Sequence, residues 1–160
     1  MGKLWDIVKE IIKQEEEILR RAILETQRRV EAITQIPVEA GKVVDISDQT
    51  FTKDYELELK GIGYVPVIIL KTTSKDYTIT IVTEQGDIYR DKDFDSFSAI
   101  SLGNAYVDAQ DRTSTEGYYF LALKEIKFRS YFYFLLRPTT GSLYVKNLYI
   151  LYYLIKKVEV

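Results

Sequence analysis

The sequence predicts an α+β protein, in which one long N-terminal α-helix precedes an antiparallel, jelly-roll-like β-sandwich of about eight strands. Residues 3–34 contain neither proline nor glycine and are rich in helix-forming residues. Residues 43–155 consist of short apolar runs separated by turn residues, without helical patterns interleaved between them. Pro37 and Gly41 stand between the two regions. We therefore predict an oligomerisation helix over residues 1–36 and a β-sandwich domain over residues 37–160.

The composition of the chain excludes several classes of function. It has no cysteine and no histidine, which excludes disulfides, thiolate or imidazole catalysis and soft-metal sites. The 22 basic and 24 acidic residues leave a formal net charge of -2, which provides no general attraction to nucleic acid or to an anionic membrane. No apolar run approaches the ~20 residues of a membrane-spanning helix. The many charged residues and few thermolabile ones resemble the bias of thermophile proteins.

The N-terminal helix carries an apolar stripe with an unusual period. From Leu4 the positions on one face follow spacings of four, three and four residues, a repeat of eleven that favours a straight or slightly right-handed bundle. The stripe is wider than the seam of a two-stranded coiled coil. We predict a homo-oligomer, most simply a trimer. Its predicted contact residues are Leu4, Ile7, Val8, Ile11, Ile12, Ile18, Leu19, Ala22, Ile23, Val30 and Ile33.

Two other roles for the helix remain open at this point. It could pack on its own β-domain or on a different protein, or it could lie on a membrane with Trp5 and Leu4 inserted. Interfacial helices are usually rich in Lys and Arg, and residues 1–35 hold seven bases and seven acids. The pairs Glu16–Arg20, Glu17–Arg21 and Glu25–Arg29, each with the acid first at i, i+4, indicate that the opposite face is solvated.

The strands are predicted from alternating or continuous apolar runs. Before residue 100 they cover residues 43–46, 53–60, 64–71, 77–83 and 88–90. Residues 47–50 are predicted to form a turn, and Pro66 indicates an edge position or a bulge. The runs 118–137 and 143–155 flank a turn at 139–142, and we predict that they form a central hairpin. Both faces of this pair are apolar, so a second sheet could cover one face and the helix or a neighbouring subunit the other.

Three acids at alternate positions, Asp91, Asp93 and Asp95, form a candidate calcium site, because calcium prefers clustered oxygen ligands. The segment lacks the glycine and the closing glutamate of an EF-hand loop. The alternative is a solvated loop with no bound cofactor. The apolar residues that follow, Phe94, Phe97, Ile100 and Leu102, are predicted to belong to the core.

Residues 103–117 form the longest region without strand character and are predicted to be a loop. Long loops on a rigid β-scaffold often carry recognition. The candidate ligand-binding residues there are Tyr106, Asp108, Gln110, Asp111 and Arg112, types that bind sugars or protein surfaces. A plain surface connection is the alternative interpretation.

The order of segments 96–101, 119–123, 126–128 and 143–150 resembles the β-sandwich heads of virion structural proteins, such as tail, spike or decoration subunits. The resemblance covers roughly the last hundred residues and carries no site residue with it. It implies a virion location, with an oligomerising segment that bears an outward-facing sandwich. The partners it implies are other structural proteins, or a surface receptor or glycan.

The sequence shows no constellation of residues that performs catalysis. Gly61-Ile62-Gly63 lacks the third glycine and the helix of a phosphate-binding loop, and without histidine no conventional triad can form. We therefore predict a non-enzymatic structural protein whose helices bundle and whose sandwich forms the head or body. The alternative is a carbohydrate-binding module that uses the 103–117 loop and a tyrosine-rich strand face.

Overall fold

The computed structural model describes residues 2–34 and 41–155, with the side chains of the first helix described as far as Thr26. The chain forms two units, a helical one and a β-rich one. Helix α1 covers Gly2–Thr34, 33 residues, which corresponds to a length of ~50 Å. Residues 35–40, which include the predicted boundary between the helix and the β-sandwich domain, lie outside the described residues. Within the described part of the chain, no helix has both the length and the apolar character needed to cross a membrane.

The β-rich unit contains two antiparallel sheets, one of five strands and one of four, so the α+β class is confirmed. The strands are β1 (Lys42–Phe51), β2 (Tyr55–Lys60), β3 (Gly63–Thr72), β4 (Tyr77–Thr83), β5 (Gly86–Lys92), β6 (Val107–Arg112), β7 (Tyr118–Phe128), β8 (Tyr131–Pro138) and β9 (Leu143–Leu154). A short helix, α2 (Phe94–Ser101), precedes β6. The described residues thus give nine strands where about eight were predicted.

The order of strands is β1-β9-β3-β7-β6 in the larger sheet and β2-β8-β4-β5 in the smaller one. The pairing is nested along the chain, because β1 pairs with β9, β2 with β8 and β3 with β7, all antiparallel. The first three strands, β1 to β3, therefore pair with the last three, β7 to β9, as one long antiparallel ribbon. The ribbon is divided between two sheets because β2 and β8 leave the sheet that contains β1, β3, β7 and β9.

The core is a single hydrophobic cluster to which both sheets contribute. Phe132, Phe134 and Leu136 of β8 enter it from the smaller sheet, and Ile68 and Leu148 enter it from the larger one. Two sheets that share one cluster are consistent with a β-sandwich. Around the end of β7 and along β8, Ile126, Phe128, Phe132, Phe134 and Leu136 are buried, whereas Ser130 is exposed.

The predicted C-terminal hairpin is wrong. Residues 118–137 form two strands, and a bend at residues 129–130 carries the chain from β7 in one sheet to β8 in the other. The backbone N–H of Gly61 donates to the carbonyl of Ser130 at this bend, over 2.8 Å. Strands β8 and β9 then lie in different sheets, because each pairs with an earlier strand of the ribbon.

Two irregularities in the strands explain further differences between the predicted and the observed secondary structure. Pro66 lies in β3, which is central in its sheet, and the register with β9 shifts between Tyr64 and Val67, so the bulge is confirmed and the edge position is wrong. Residues 47–50, predicted as a turn, continue β1 through Asp48, whose φ is 51°.

A second shift, at the other end of the β3–β9 pair, changes which residues of β9 face the core. The register changes between Lys71 and Thr72. The buried residues of β9 are accordingly Leu143, Val145, Leu148 and Ile150. Buried residues of β9 therefore alternate with more exposed ones only on each side of the irregularity.

Helix α2 was not predicted. Phe94 and Phe97 face the core as expected, whereas the predicted burial of Ile100 and Leu102 is wrong, since their side chains are 43% and 98% exposed. Positions 94 and 97 share one side of the helix because they are three residues apart. Leu102 follows the helix end with extended backbone.

Candidate functional site and interaction surfaces

The apolar stripe of α1 is exposed in the single chain. Among its large side chains, Leu4, Ile18 and Leu19 are 71%, 68% and 62% exposed, and Val8 is the least exposed at 37%. Ala22 is also exposed. The side chains of Val30 and Ile33 lie outside the described residues, although their backbone belongs to α1. A stripe of this length with the spacing of the eleven-residue repeat is typical of a helix that packs against other helices.

Two polar residues interrupt this stripe, and they differ in what surrounds them. Thr26 donates its hydroxyl hydrogen to the carbonyl oxygen of Ala22, at 2.9 Å, so its polar group is satisfied within the helix. Glu15 lies between the turn that carries Ile11 and Ile12 and the turn that carries Ile18 and Leu19. A carboxylate therefore stands in the middle of the apolar face.

The candidate metal ligands each have a separate partner. The Thr80 hydroxyl donates to Asp91 Oδ1 over 3.2 Å, and Lys75 Nζ lies 3.1 Å from Asp95 Oδ1. Asp93 caps α2, because its Oδ1 accepts a hydrogen bond of 2.8 Å from the Ser96 N–H. No group of three or more acidic side chains suited to a metal ion is found within residues 2–26 and 41–155.

The candidate ligand-binding residues fall into separate places, because β6 crosses the region predicted to be a loop. Asp108, Gln110 and Arg112 alternate along this edge strand and are linked side chain to side chain. Gln110 Nε2 donates to both oxygens of Asp108 over 2.9 and 3.1 Å, and Arg112 Nε donates to Gln110 Oε1 over 2.8 Å. The Arg112 guanidinium lies 4.9 Å from the ring centroid of Phe120. We call Asp108, Gln110 and Arg112 the β6 polar row.

Asp111 and Tyr106 do not join this row. Asp111 alternates with its members, and its carboxylate accepts from the hydroxyl and the N–H of Thr113 over 2.6 and 3.0 Å. These two bonds lower the pKa of Asp111. Tyr106 is 56% exposed and lines a surface groove of about 790 Å³ with Tyr89, Asn104, Lys124 and other residues.

The face of the larger sheet that points away from the core is apolar at its centre. Val67 and Ile69 of β3, Phe120 of β7, and Tyr149 and Leu151 of β9 alternate with core residues and are half-buried. This matches the expectation that both faces of β9 are apolar.

A cavity of about 570 Å³ lies where three turns meet at one end of the sheets, with Ile62, Phe128 and Tyr153 in its walls. Glu84, on its rim, accepts a hydrogen bond from the N–H of Arg129. Its second oxygen, Oε2, is buried with no partner among the described residues. The sequence contains no signal for this cavity, since its walls come from separate segments of the chain that only the fold brings together.

The chain matches no family model, and the search of curated proteins returned no similar protein. The functional conclusion therefore depends on the surfaces described above.

Proposed function

We propose that this protein is a non-enzymatic structural subunit that assembles through α1, most simply as a trimer, and presents its β-rich unit as the head or body. The observation that carries this proposal is the exposed apolar stripe of α1. Burying a Leu, Ile or Val side chain contributes ~1.5–3 kcal/mol. Eight exposed residues of these types, from Leu4 to Ile23, thus provide ample driving force for association.

Charge and period favour further copies of the same helix as the partner. The seven bases and seven acids of residues 1–35 give the helix no net charge, so no net charge repulsion opposes the association of identical helices. The repeat of eleven residues keeps the stripe on one side of a nearly straight helix along its length. Identical helices in parallel register then present the same apolar residues to each other at every level.

The strand order supports the proposal of a virion head. A ribbon with nested pairs β1/β9, β2/β8 and β3/β7, divided between two sheets, is consistent with an eight-stranded jelly roll that has β6 as an additional edge strand. Jelly rolls form viral capsid domains and lectin domains. We propose the jelly roll as the finer fold, and a virion subunit as the context in which an oligomerising helix carries it.

Sedimentation equilibrium on the full chain tests the assembly. We expect the wild type to form an oligomer at micromolar concentration, and the double variant Ile11→Gln, Leu19→Gln to be monomeric, because two polar amides then lie in the packed stripe. The matched control, Lys13→Gln with Arg21→Gln, changes the opposite face and retains the oligomer. A wild type that stays monomeric at high concentration contradicts the proposal.

A second candidate function, carbohydrate binding, is favoured by the groove beside Tyr106. An exposed tyrosine ring can stack on a sugar ring, while Asn104 and Lys124 in the same groove provide polar groups. Glycan-array binding that is lost in Tyr106→Ala and retained in the monomeric double variant would favour this function. Binding that is unchanged in Tyr106→Ala, or absent in the wild type, would count against it.

A further inference from the structure

We propose that Glu15 controls the helix assembly, because in parallel α1 helices its carboxylate converges with those of the other copies and takes up a proton when they associate. This inference rests on the proposed function, whose partner is a second copy of the chain. It adds that association is tighter at lower pH and that a single residue limits it.

The residues one helical turn before and one turn after Glu15 on its own helix are all apolar. The residues three and four positions away are Ile12 and Ile18, and Ile11 and Leu19. Neither a hydrogen bond nor an ion pair to Glu15 is found among the side chains described. By contrast, the other acids in the middle of α1, Glu16 and Glu17, have arginines four residues later.

In the single chain a charged Glu15 carboxylate carries no desolvation penalty, because the side chain is exposed and hydrated. The cost arises on assembly, when the neighbouring isoleucine and leucine side chains pack and remove water from the carboxylate. Identical helices in parallel register also bring like charges to the same level. Desolvation and repulsion both favour the neutral carboxyl, so association is coupled to proton uptake.

The charged groups that can face Glu15 are few. Glu16 and Arg20 line the same groove of α1 as Glu15, together with Ile12, Leu19 and Ile23. The elements packed against Glu15 in the assembly are copies of α1, so the facing charges are the Glu15, Glu16 and Arg20 side chains of those copies. Arg20 is the one base in this set, and an ion pair between Glu15 and a neighbour's Arg20 would reverse the expected effect.

The experiment measures the association of the full chain at pH 7.5 and pH 6.0, both above the isoelectric point of about 5.3. Sedimentation equilibrium is performed on the wild type, Glu15→Gln, Glu15→Leu and the control Glu10→Gln. Glu10 lies about 140° around the helix from Glu15, and the residues three and four positions from it include Asp6, Lys13 and Gln14. Far-ultraviolet circular dichroism checks that each variant keeps its helix and sheets.

We expect the wild type and Glu10→Gln to associate roughly thirtyfold more tightly at pH 6.0 than at pH 7.5, because uptake of one proton changes the association constant about tenfold for each pH unit. Glu15→Gln removes this difference and associates at pH 7.5 at least as tightly as the wild type does at pH 6.0. Glu15→Leu is tighter still at both values, because an apolar side chain then completes the stripe.

Three outcomes overturn the inference while leaving the assembly in place. They are an oligomer whose affinity is independent of pH, a Glu15→Gln variant that keeps the pH dependence of the wild type, and a Glu15→Gln variant that associates more weakly. The last result indicates an ion pair with Arg20 of another copy. If the wild type and Glu15→Leu are both monomeric at both pH values, the proposed function fails together with the inference.

Discussion

The role of a carboxylate in this protein depends on the group nearest to it. Asp93 precedes α2 in extended conformation and accepts a hydrogen bond from the Ser96 N–H, one of the free donors at the helix start. Hydrogen bonds from the hydroxyl and the N–H of Ser96 lower the pKa of Asp93. The capping interaction is therefore made by the ionised form.

Replacing Asp93 by alanine should lower the free energy of unfolding by ~1 kcal/mol at pH 7. Asp93→Asn should keep most of the stabilisation that the cap provides, because asparagine also caps helices well. Because the pKa of Asp93 is lowered in the folded state, its ionic contribution is present above the ordinary value of ~3.9 and is lost as the pH falls through the lowered value. Urea unfolding at pH 7 and at pH 3 measures this. The penalty of the alanine variant should shrink at pH 3, and a constant penalty would contradict the ionic cap.

Gly63 is needed for space rather than for its backbone angles. A Cβ atom at this position would meet the ring of Phe128 and would lie 2.5 Å from the carbonyl oxygen of Tyr153. We expect Gly63→Ala to lower the free energy of unfolding by ~1–3 kcal/mol, the usual cost of overpacking. Gly41→Ala is the matched control, since its Cβ would meet the side-chain ring of Tyr153, which can move away. Equal losses in chemical denaturation would show that the backbone at Gly63 adjusts.

Individual elements follow from the sequence where one face of a strand is buried. In β4, Tyr77, Ile79, Ile81 and Thr83 are buried in strict alternation, and the predicted bounds, 77–83, are confirmed. The pairing of β8 and β9 could not be predicted in the same way, because both carry apolar residues on both faces, and such strands suit either sheet. Which strands pair over a long range depends on the whole ribbon, and no local sequence pattern predicts that pairing.

The candidate surfaces were predictable to different degrees. The exposed stripe of α1 follows directly from its period of eleven residues. The residue types of Asp108, Gln110 and Arg112 identified the β6 polar row as a candidate surface, but the segment was predicted to be a loop. These residue types are common in loops, and their strand lies at the edge of its sheet with one side solvated. Helix α2 had a local signal, an aspartate immediately before apolar residues three positions apart, and its short length concealed it.

Helix α2 provides a sharp test of which apolar residues form the core. Phe97 is fully buried, with its ring centroid 5.2 Å from that of Tyr89, so Phe97→Ala should cost ~3–5 kcal/mol. Leu102→Ala should change the free energy of unfolding by less than ~0.5 kcal/mol, because its side chain is 98% exposed. Both are measured by urea unfolding monitored by tyrosine fluorescence. A large loss for Leu102→Ala would indicate that this side chain is covered.

At the scale of the whole molecule, the two units obtain their stability from different sources. The β-rich unit has its own core, to which β3, β4, β7, β8 and β9 all contribute buried residues. Helix α1 has no buried side chain among residues 2–26, and helices without packing partners are marginally stable in water. The stability of α1 should therefore depend on association, whereas the stability of the β-rich unit should depend on its own hydrophobic core.

Thermal melting at low and high protein concentration tests this difference. If α1 folds by associating, mass action raises its midpoint with concentration, whereas the midpoint of the β-rich unit stays constant. Circular dichroism at 222 nm follows the helix, and the near-ultraviolet signal of the tyrosines follows the sheets. In the Ile11→Gln, Leu19→Gln variant the helical transition should fall to lower temperature and the tyrosine transition should remain. A single transition at one midpoint, independent of concentration, would instead indicate that α1 packs on its own sheets, and the helix would then be part of the fold rather than the means of assembly.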